Sequence, residues 1–187
     1  LQMWSFHRGL DSEHTYSSHP AGWLLQLRPT SFAWQRLTDG AGNETGDVEV
    51  VLAVGNPIVW WGSAIALLVV LWWAFRRRDW RAWAILAGYA AMYLPWFTYS
   101  APFSNRTIFT FYTVAFAPFV ALALAYALGK LLAPPGAPGR ERRRRYWLVG
   151  GVVGLAVLVG AFFYPIWTAW QVPYWFWHLH MWLPSWI

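Results

Sequence analysis

The segment EHTYSSHPAGWLLQLRP, residues 13–29, holds the densest group of side chains in this sequence that could do chemistry. An acid, two histidines, a tyrosine, two serines and an arginine crowd into one short stretch of an otherwise apolar chain. Histidines with a carboxylate can ligate a metal or shuttle protons, and a guanidinium can fork onto a phosphate. Spacing decides among these. His14 and His19 lie five residues apart and His178 and His180 two apart, so neither pair has the i, i+4 spacing of a helical zinc motif. The chain has no cysteine, which removes thiolate metal sites and disulfides. No metal is therefore expected, and hydrogen-bonding histidines in a polar loop are the default. No nucleophile elbow, phosphate loop or dinucleotide fingerprint occurs.

A second residue of interest is Arg106, in FSNRTIF, where a polar turn meets an apolar run. It can be a snorkelling anchor, or its planar donors can hold a phosphate at a membrane boundary. Arg28, in LRP, has the same two readings. Tyr16, Trp23 and the tryptophans of PYWFWHLHMWLPSWI offer faces for a sugar ring. Most of the 17 tryptophans nevertheless read as interfacial anchors.

The elements that must position these residues follow from composition. The chain has 187 residues, 58% of them hydrophobic and 20% aromatic, with 12% charged. A soluble domain of that size could not hide so much aromatic surface, whereas a bilayer and its interfaces can. Four apolar runs predict membrane helices, at roughly 57–75, 82–99, 107–132 and 146–170. The expected fold class is thus an all-α integral membrane domain of four transmembrane helices. It is preceded by an outer loop region, residues 1–56. Within that region 21–37 reads as interfacial, 38–47 as turn-rich and 48–55 as an alternating strand, so a small β-hairpin is expected. Residues 57–187 form the four-span domain with an outward tail. Residues 1–20 do not look like a natural beginning, and the chain is expected to be the C-terminal piece of something longer.

Charge placement orients the spans. Ten of the 14 basic residues lie in two loops, Arg76–Arg81 and Lys130–Arg145, and six of the eight acids lie on the opposite side. By the excess of Lys and Arg in cytoplasmic loops, these two loops are cytoplasmic, and both chain ends face outward. The RERRRR cluster then reads as a topogenic anchor touching anionic lipid, and no nucleic-acid partner is expected.

Taken in order, FHRGL…EHTYSSHPAGWLLQLRP, VLAVGNPIVWWG, RDWR, YLPWF, RTIFTFY…AFAPF and FYPIW…MWLPSWI resemble one family over essentially the whole chain. It is the C-terminal four-helix membrane domain of bacterial protein O-mannosyltransferases, the dolichyl- or polyprenyl-phosphate-mannose–protein mannosyltransferases of glycosyltransferase family 39. In its Arg-, Ala- and Trp-rich style the chain resembles actinobacterial members of that family. Against the family pattern H-P-Y-x-S-x-P-W-x-W-P followed by L-R-P, His14, Tyr16, Ser18, Pro20, Trp23, Arg28 and Pro29 match. Thr15, Ala21 and Leu24 replace Pro, Trp and Pro.

The resemblance implies the C-terminal part of a C-type glycosyltransferase fold in a bacterial cell membrane. It implies transfer of mannose, with inversion, from polyprenyl-phosphate-mannose to Ser or Thr hydroxyls of proteins on the extracytoplasmic face, including proteins under export. Such a reaction needs a carboxylate base and positive charge for the departing lipid phosphate. In the family the base lies in the first extracytoplasmic loop, upstream of this chain. No catalytic residue is therefore assigned here, Glu13 included, and this piece alone is expected to be inactive. Arg28 and Arg106 are the candidates for donor phosphate, and His14, Tyr16, Ser18 and Trp23 for lining the substrate site. No tightly bound cofactor is expected beyond the lipid-linked donor. The alternative is a non-enzymatic scaffold or lipid-binding subunit of an envelope complex.

Overall fold

The computed structural model describes residues 14–187, so His7, Arg8 and Glu13 lie outside the described residues. The fold is helix-rich with one small sheet, which amends the all-α expectation. The described chain divides into two compact units. One contains the residues up to Val54 together with Pro95–Thr113 and Ala161–Ile187; the other contains Gly55–Leu94 and Val114–Gly160.

In the first unit, strands β1 (Thr30–Thr38) and β2 (Glu44–Ala53) form an antiparallel hairpin, and the two-residue β3 (Val172–Pro173) pairs with Asp47 and Val48. The alternation in VEVVLAV explains β2, because Val48, Val50 and Leu52 all turn one way and are buried. The turn is built by Asp39, whose Oδ1 accepts from the amides of Ala41 (2.9 Å) and Asn43 (2.8 Å). Gly42 supplies the positive φ, +87°, that this turn needs. The short helix α5 (Tyr174–His178) sets Trp177 against Trp34, ring centroids 5.8 Å apart. The interfacial segment expected at 21–37 is thus a 3-10 turn, Pro20–Leu25, followed by β1.

The second unit is helical. α1 (Pro57–Arg77) opens with Asn56 capping the amides of Ile58 and Val59 and with proline in its first turn. α2 (Trp80–Tyr93) is capped by Asp79. It gives way to a 3-10 turn, Leu94–Tyr99, where Pro95 removes an amide donor. The third apolar run begins without α-helix. Phe109 makes a bridge with Ser17, Thr110–Ala115 is a 3-10 turn, and α3 (Ala117–Leu131) starts with Pro118 in its first turn. α4 runs from Gly139 to Trp167, so the basic RERRRR segment belongs to its first turns.

Two of these helices, α1 and α4, are long and apolar enough to cross a membrane, and α3 is a shorter apolar helix. The burial pattern of the bundle is what a lipid solvent selects. Its core is small, with Ala66, Ala74, Ala82 and Ala123 buried beside Val70 and Ile85. Its large apolar side chains point away, among them Ile65, Leu68 and Phe75, each about two-thirds exposed. Small residues at helix contacts let backbones approach, since lipid tails remove the drive to bury leucine. Gly88 is the extreme case: a Cβ there would lie 2.0 Å from the Phe119 ring.

Candidate functional site

The opening loop, residues 14–18, has little regular structure, so side chains and single bridges must satisfy its backbone. Ser18 N–H donates to the Ile108 carbonyl (2.9 Å), and Ser17 N–H to His14 (2.8 Å). The Ser18 hydroxyl accepts from Trp23 Nε1 (2.9 Å) and meets the Thr110 hydroxyl at 3.0 Å. Thr110 in turn donates to the Arg28 carbonyl. Ser18 must therefore donate to Thr110, which gives one directed chain from Trp23 through Ser18 and Thr110 to Arg28. That chain ties the 3-10 turn, the LRP segment and residues 108–110 into one wall.

Beside this wall is a cavity of about 880 Å³. Its lining is His14, Thr15, Ser17, Ser18 and His19 from the opening loop, with Ser100, Ala101 and Ser104–Ile108 from the segment before α3. His19 ties the two sides together. Its Nδ1 accepts from the Ala21 amide (3.2 Å), so Nε2 carries the proton and donates to the Ala101 carbonyl (3.1 Å). His14 Nδ1 accepts from the Tyr16 amide (3.2 Å), which leaves Nε2 without a partner among the described residues.

Arg106 sets the electrostatics. Among the described residues lining the cavity it is the one permanent cation, and none is a carboxylate. Its Nε is buried without a hydrogen-bond partner, and its guanidinium lies 5.1 Å from the centre of the Tyr99 ring. A buried guanidinium donor left unmatched is costly unless a ligand answers it. With hydroxyls and imidazoles around it, the cavity suits an anion joined to a polyol. Among the described residues no carboxylate lines it to take a proton from an alcohol. Among the described residues no three His, Asp or Glu side chains gather into a metal site.

The residues singled out from sequence separate into two sets. His14, Ser18 and Arg106 lie on the cavity. Arg28 does not: its Nε and Nη2 donate to the Thr15 carbonyl (3.4 and 3.1 Å), and Nη1 to the carbonyls of Ser185 (3.0 Å) and Ile187 (3.3 Å). Its guanidinium fastens the opening loop to the C-terminal tail. Tyr16, with Arg28 over its ring at 5.4 Å, lines a separate groove of about 250 Å³ with Trp34, Tyr174 and Trp177. Trp23 is 1% exposed, its ring against Trp96 and its N–H on Ser18. Sequence reasoning weighed His19 only as a metal ligand or a hydrogen-bonding loop residue, and passed over Ser100 and Ser104. The available signal was the polar run Ser104-Asn105-Arg106-Thr107 set between apolar segments, of which the arginine alone was weighed for the substrate site.

Similarity to known proteins runs over nearly the whole chain. The chain is 33% identical to the polyprenol-phosphate-mannose–protein mannosyltransferase of Mycobacterium tuberculosis over 185 residues, covering 97% of this chain and 35% of that protein. For the protein of the same name from Mycolicibacterium smegmatis the identity is 34%, with the same coverage. The chain therefore spans about a third of the length of these curated relatives. The fold is that of part of the yeast (S. cerevisiae) protein O-mannosyltransferase Pmt1-Pmt2 complex, solved bound to its sugar donor. The TM-score there is 0.73 at 22% identity, over 100% of this chain and 25% of that one. Residues 1–186 match the family described as the C-terminal four TMM region of protein-O-mannosyltransferase, and the chain belongs to that family.

Proposed function

We propose that this chain is the C-terminal part of a membrane mannosyltransferase whose donor is polyprenyl-phosphate-mannose and whose acceptors are Ser and Thr hydroxyls of proteins on the extracytoplasmic face. In this reading the four apolar runs are four crossings, the basic loops are cytoplasmic, and the cavity beside Arg106 opens outward. Residues 1–56 form the outer region and 57–187 the membrane domain. The acceptor oxygen attacks the anomeric carbon from the face opposite the phosphate, and the bond from that carbon to the phosphate oxygen breaks with inversion. The acceptor proton passes to a carboxylate supplied by the upstream part of the protein. The electron pair leaves on the lipid phosphate, where charge develops and a preorganised cation lowers the barrier.

The observation that carries this reading is the buried, unpartnered Arg106 Nε on a cavity of hydroxyls and imidazoles. Arg106 holds the departing phosphate, and His14 and Ser18 line the sugar side. Arg28, with its donors on four carbonyl contacts, shapes the wall and leaves the phosphate to Arg106. Tyr16 and Trp23 support the same loop from behind.

The test uses the full-length protein, assayed for transfer of labelled mannose from the lipid donor to a Ser/Thr-rich peptide. Arg106→Gln is expected to lower kcat/KM by roughly 10²–10³-fold, the usual cost of removing one preorganised donor from developing charge. Arg106→Lys should recover part of it, because a point charge replaces a planar fork. Unchanged turnover in Arg106→Gln would remove the phosphate role. A full-length protein that transfers no mannose would remove the whole reading and favour the scaffold alternative.

A further inference from the structure

Helix α4 begins with a face whose chemistry changes in order along the axis. Arg140, Arg143 and Arg144 are exposed and stand at i, i+3 and i+4; Trp147 and Leu148 follow at i+7 and i+8. At 3.6 residues per turn these five share one side of the helix, while Arg142 falls roughly 200° around from Arg140. They line one open hollow of about 750 Å³. Arg145, by contrast, is engaged: it pairs with Glu141 at 2.7 Å and donates to the Leu131 carbonyl. Arg140, Arg143 and Arg144 have no ion pair or hydrogen-bond partner among the described residues, and Trp147 beside them is 75% exposed.

Simple solvation of a charge run would not require this order. A cluster serving only as a topology signal needs positive charge on any side of the helix. Here the three unpaired cations come first, an indole follows, then a leucine, and the helix continues as an apolar segment long enough to enter a bilayer. The arginines lie within about 6 Å of axial rise, the width of one phosphodiester, and Trp147 lies roughly 10 Å along from Arg140. An amphiphile with an anionic head and an apolar tail has the same sequence of chemistries over the same distance. Guanidinium forks suit phosphate oxygens, and tryptophan prefers the headgroup level.

We propose that Arg140, Arg143, Arg144, Trp147 and Leu148 form a binding site for the phosphate headgroup of an anionic phospholipid, its tail lying along α4. The site is independent of the cavity beside Arg106.

Purified full-length protein in neutral detergent is titrated with phosphatidylglycerol, phosphatidylcholine or inorganic phosphate. Bound lipid is counted by native mass spectrometry and Tm is followed in parallel. Phosphatidylglycerol is expected to bind and raise Tm, with phosphatidylcholine and inorganic phosphate without effect at the same concentration. The triple variant R140Q/R143Q/R144Q should weaken phosphatidylglycerol binding at least about tenfold, whereas R142Q, on the other side, should not. If the triple variant does not fold, R143Q carries the comparison, with an expected loss of about threefold. The proposal is overturned if phosphatidylcholine binds as well, if free phosphate alone reproduces the shift, or if R142Q costs as much as R143Q.

Discussion

The two units of this chain solve the backbone problem in opposite ways. In the helical unit most backbone groups are answered within their own helix, side chains such as Asn56 and Asp79 being needed only at the ends, so the others are free to pack by size. In the unit that carries the cavity, residues 14–29, 100–110 and the C-terminal tail lack long regular elements. Their carbonyls are met by side chains: Trp186 Nε1 on Gln26 (2.7 Å), Ser185 on Leu27, and Arg28 on Thr15 and Ser185. Polar residues that look like catalytic candidates in the sequence are therefore mostly holding loops in place. Arg106 is instructive because its Nε is left over from that accounting.

The sharpest way to break this contrast is to damage each unit by its own currency. In the helical unit size should dominate, so Gly88→Leu is expected to have the largest effect. Its Cβ would meet the Phe119 ring at 2.0 Å, and no rotamer of leucine avoids its own Cβ. Overpacking of this kind costs about 1–3 kcal/mol where neighbours can shift, and more where a ring is pinned between helices. Loss of folded full-length protein from detergent extracts is the expected outcome, with Gly88→Ala also impaired. Normal yield and Tm for both would mean that the α2–α3 contact is not close-packed.

In the loop unit hydrogen bonds should dominate. His180 is fully buried, stacked on Phe162 with centroids 4.0 Å apart, and both ring nitrogens meet carbonyls. His180→Phe preserves the stacking and removes the ring N–H that one of these carbonyls can accept. Up to about 3 kcal/mol of stability should be lost, the upper end of the cost of leaving one buried polar group unmet. A Tm equal to wild type would show that ring packing, not carbonyl satisfaction, holds the tail.

Next in size is Arg28 set against Arg106. Arg28→Gln should cost roughly 2–3 kcal/mol of stability, because charged donors to carbonyls contribute about 1.5–3 kcal/mol. Arg106→Gln should leave Tm nearly unchanged while transfer collapses. Two arginines in similar settings would then fail by different routes, one by unfolding and one by chemistry. If Arg28→Gln keeps its Tm and loses activity, the assignment of phosphate to Arg106 alone is wrong.

How far the sequence could reveal this differs between the units for the same physical reason. Helices such as α1 are written in local composition, and the run 57–75 sits inside the observed Pro57–Arg77. The alternation in VEVVLAV likewise marked the hairpin. Local pattern did not reveal that residues 108–110 are bridged to the opening loop, because those pairings join residues some 90 positions apart. Arg28 and Arg106 show the limit most clearly. Each is an arginine at the edge of an apolar stretch, and only the positions of Thr15, Ser185 and Ile187 distinguish a tether from a free fork. Ser18 and Trp23 were visible as residues of interest, but their hydrogen bond, which turns Trp23 away from the cavity, was not.

The helical unit has one polar knot of its own, and it tests whether charge matters there at all. Asp79, between α1 and α2, accepts from the Tyr126 hydroxyl at 2.9 Å, from the Arg81 amide at 3.0 Å and from Lys130 at 3.1 Å; Lys130 also lies 3.9 Å from the centre of a Trp73 ring. The Tyr126 hydroxyl chiefly, then the Arg81 amide and Lys130, hold the Asp79 carboxyl down to about 2 from its usual 3.8. A carboxylate with a depressed pKa stabilises the fold above its unfolded value and loses that contribution as pH falls through the folded one. Asp79→Asn keeps the helix cap and an acceptor for Tyr126 but removes the charge. Its Tm should sit a few degrees or less below wild type at neutral pH, since partly solvated ion pairs contribute little. The gap should hold down to pH about 4 and close between there and about 2. A gap that persists at low pH would assign the effect to hydrogen-bond geometry. A gap that is absent at neutral pH would mean that this unit, unlike the cavity's, does not depend on charge for its stability.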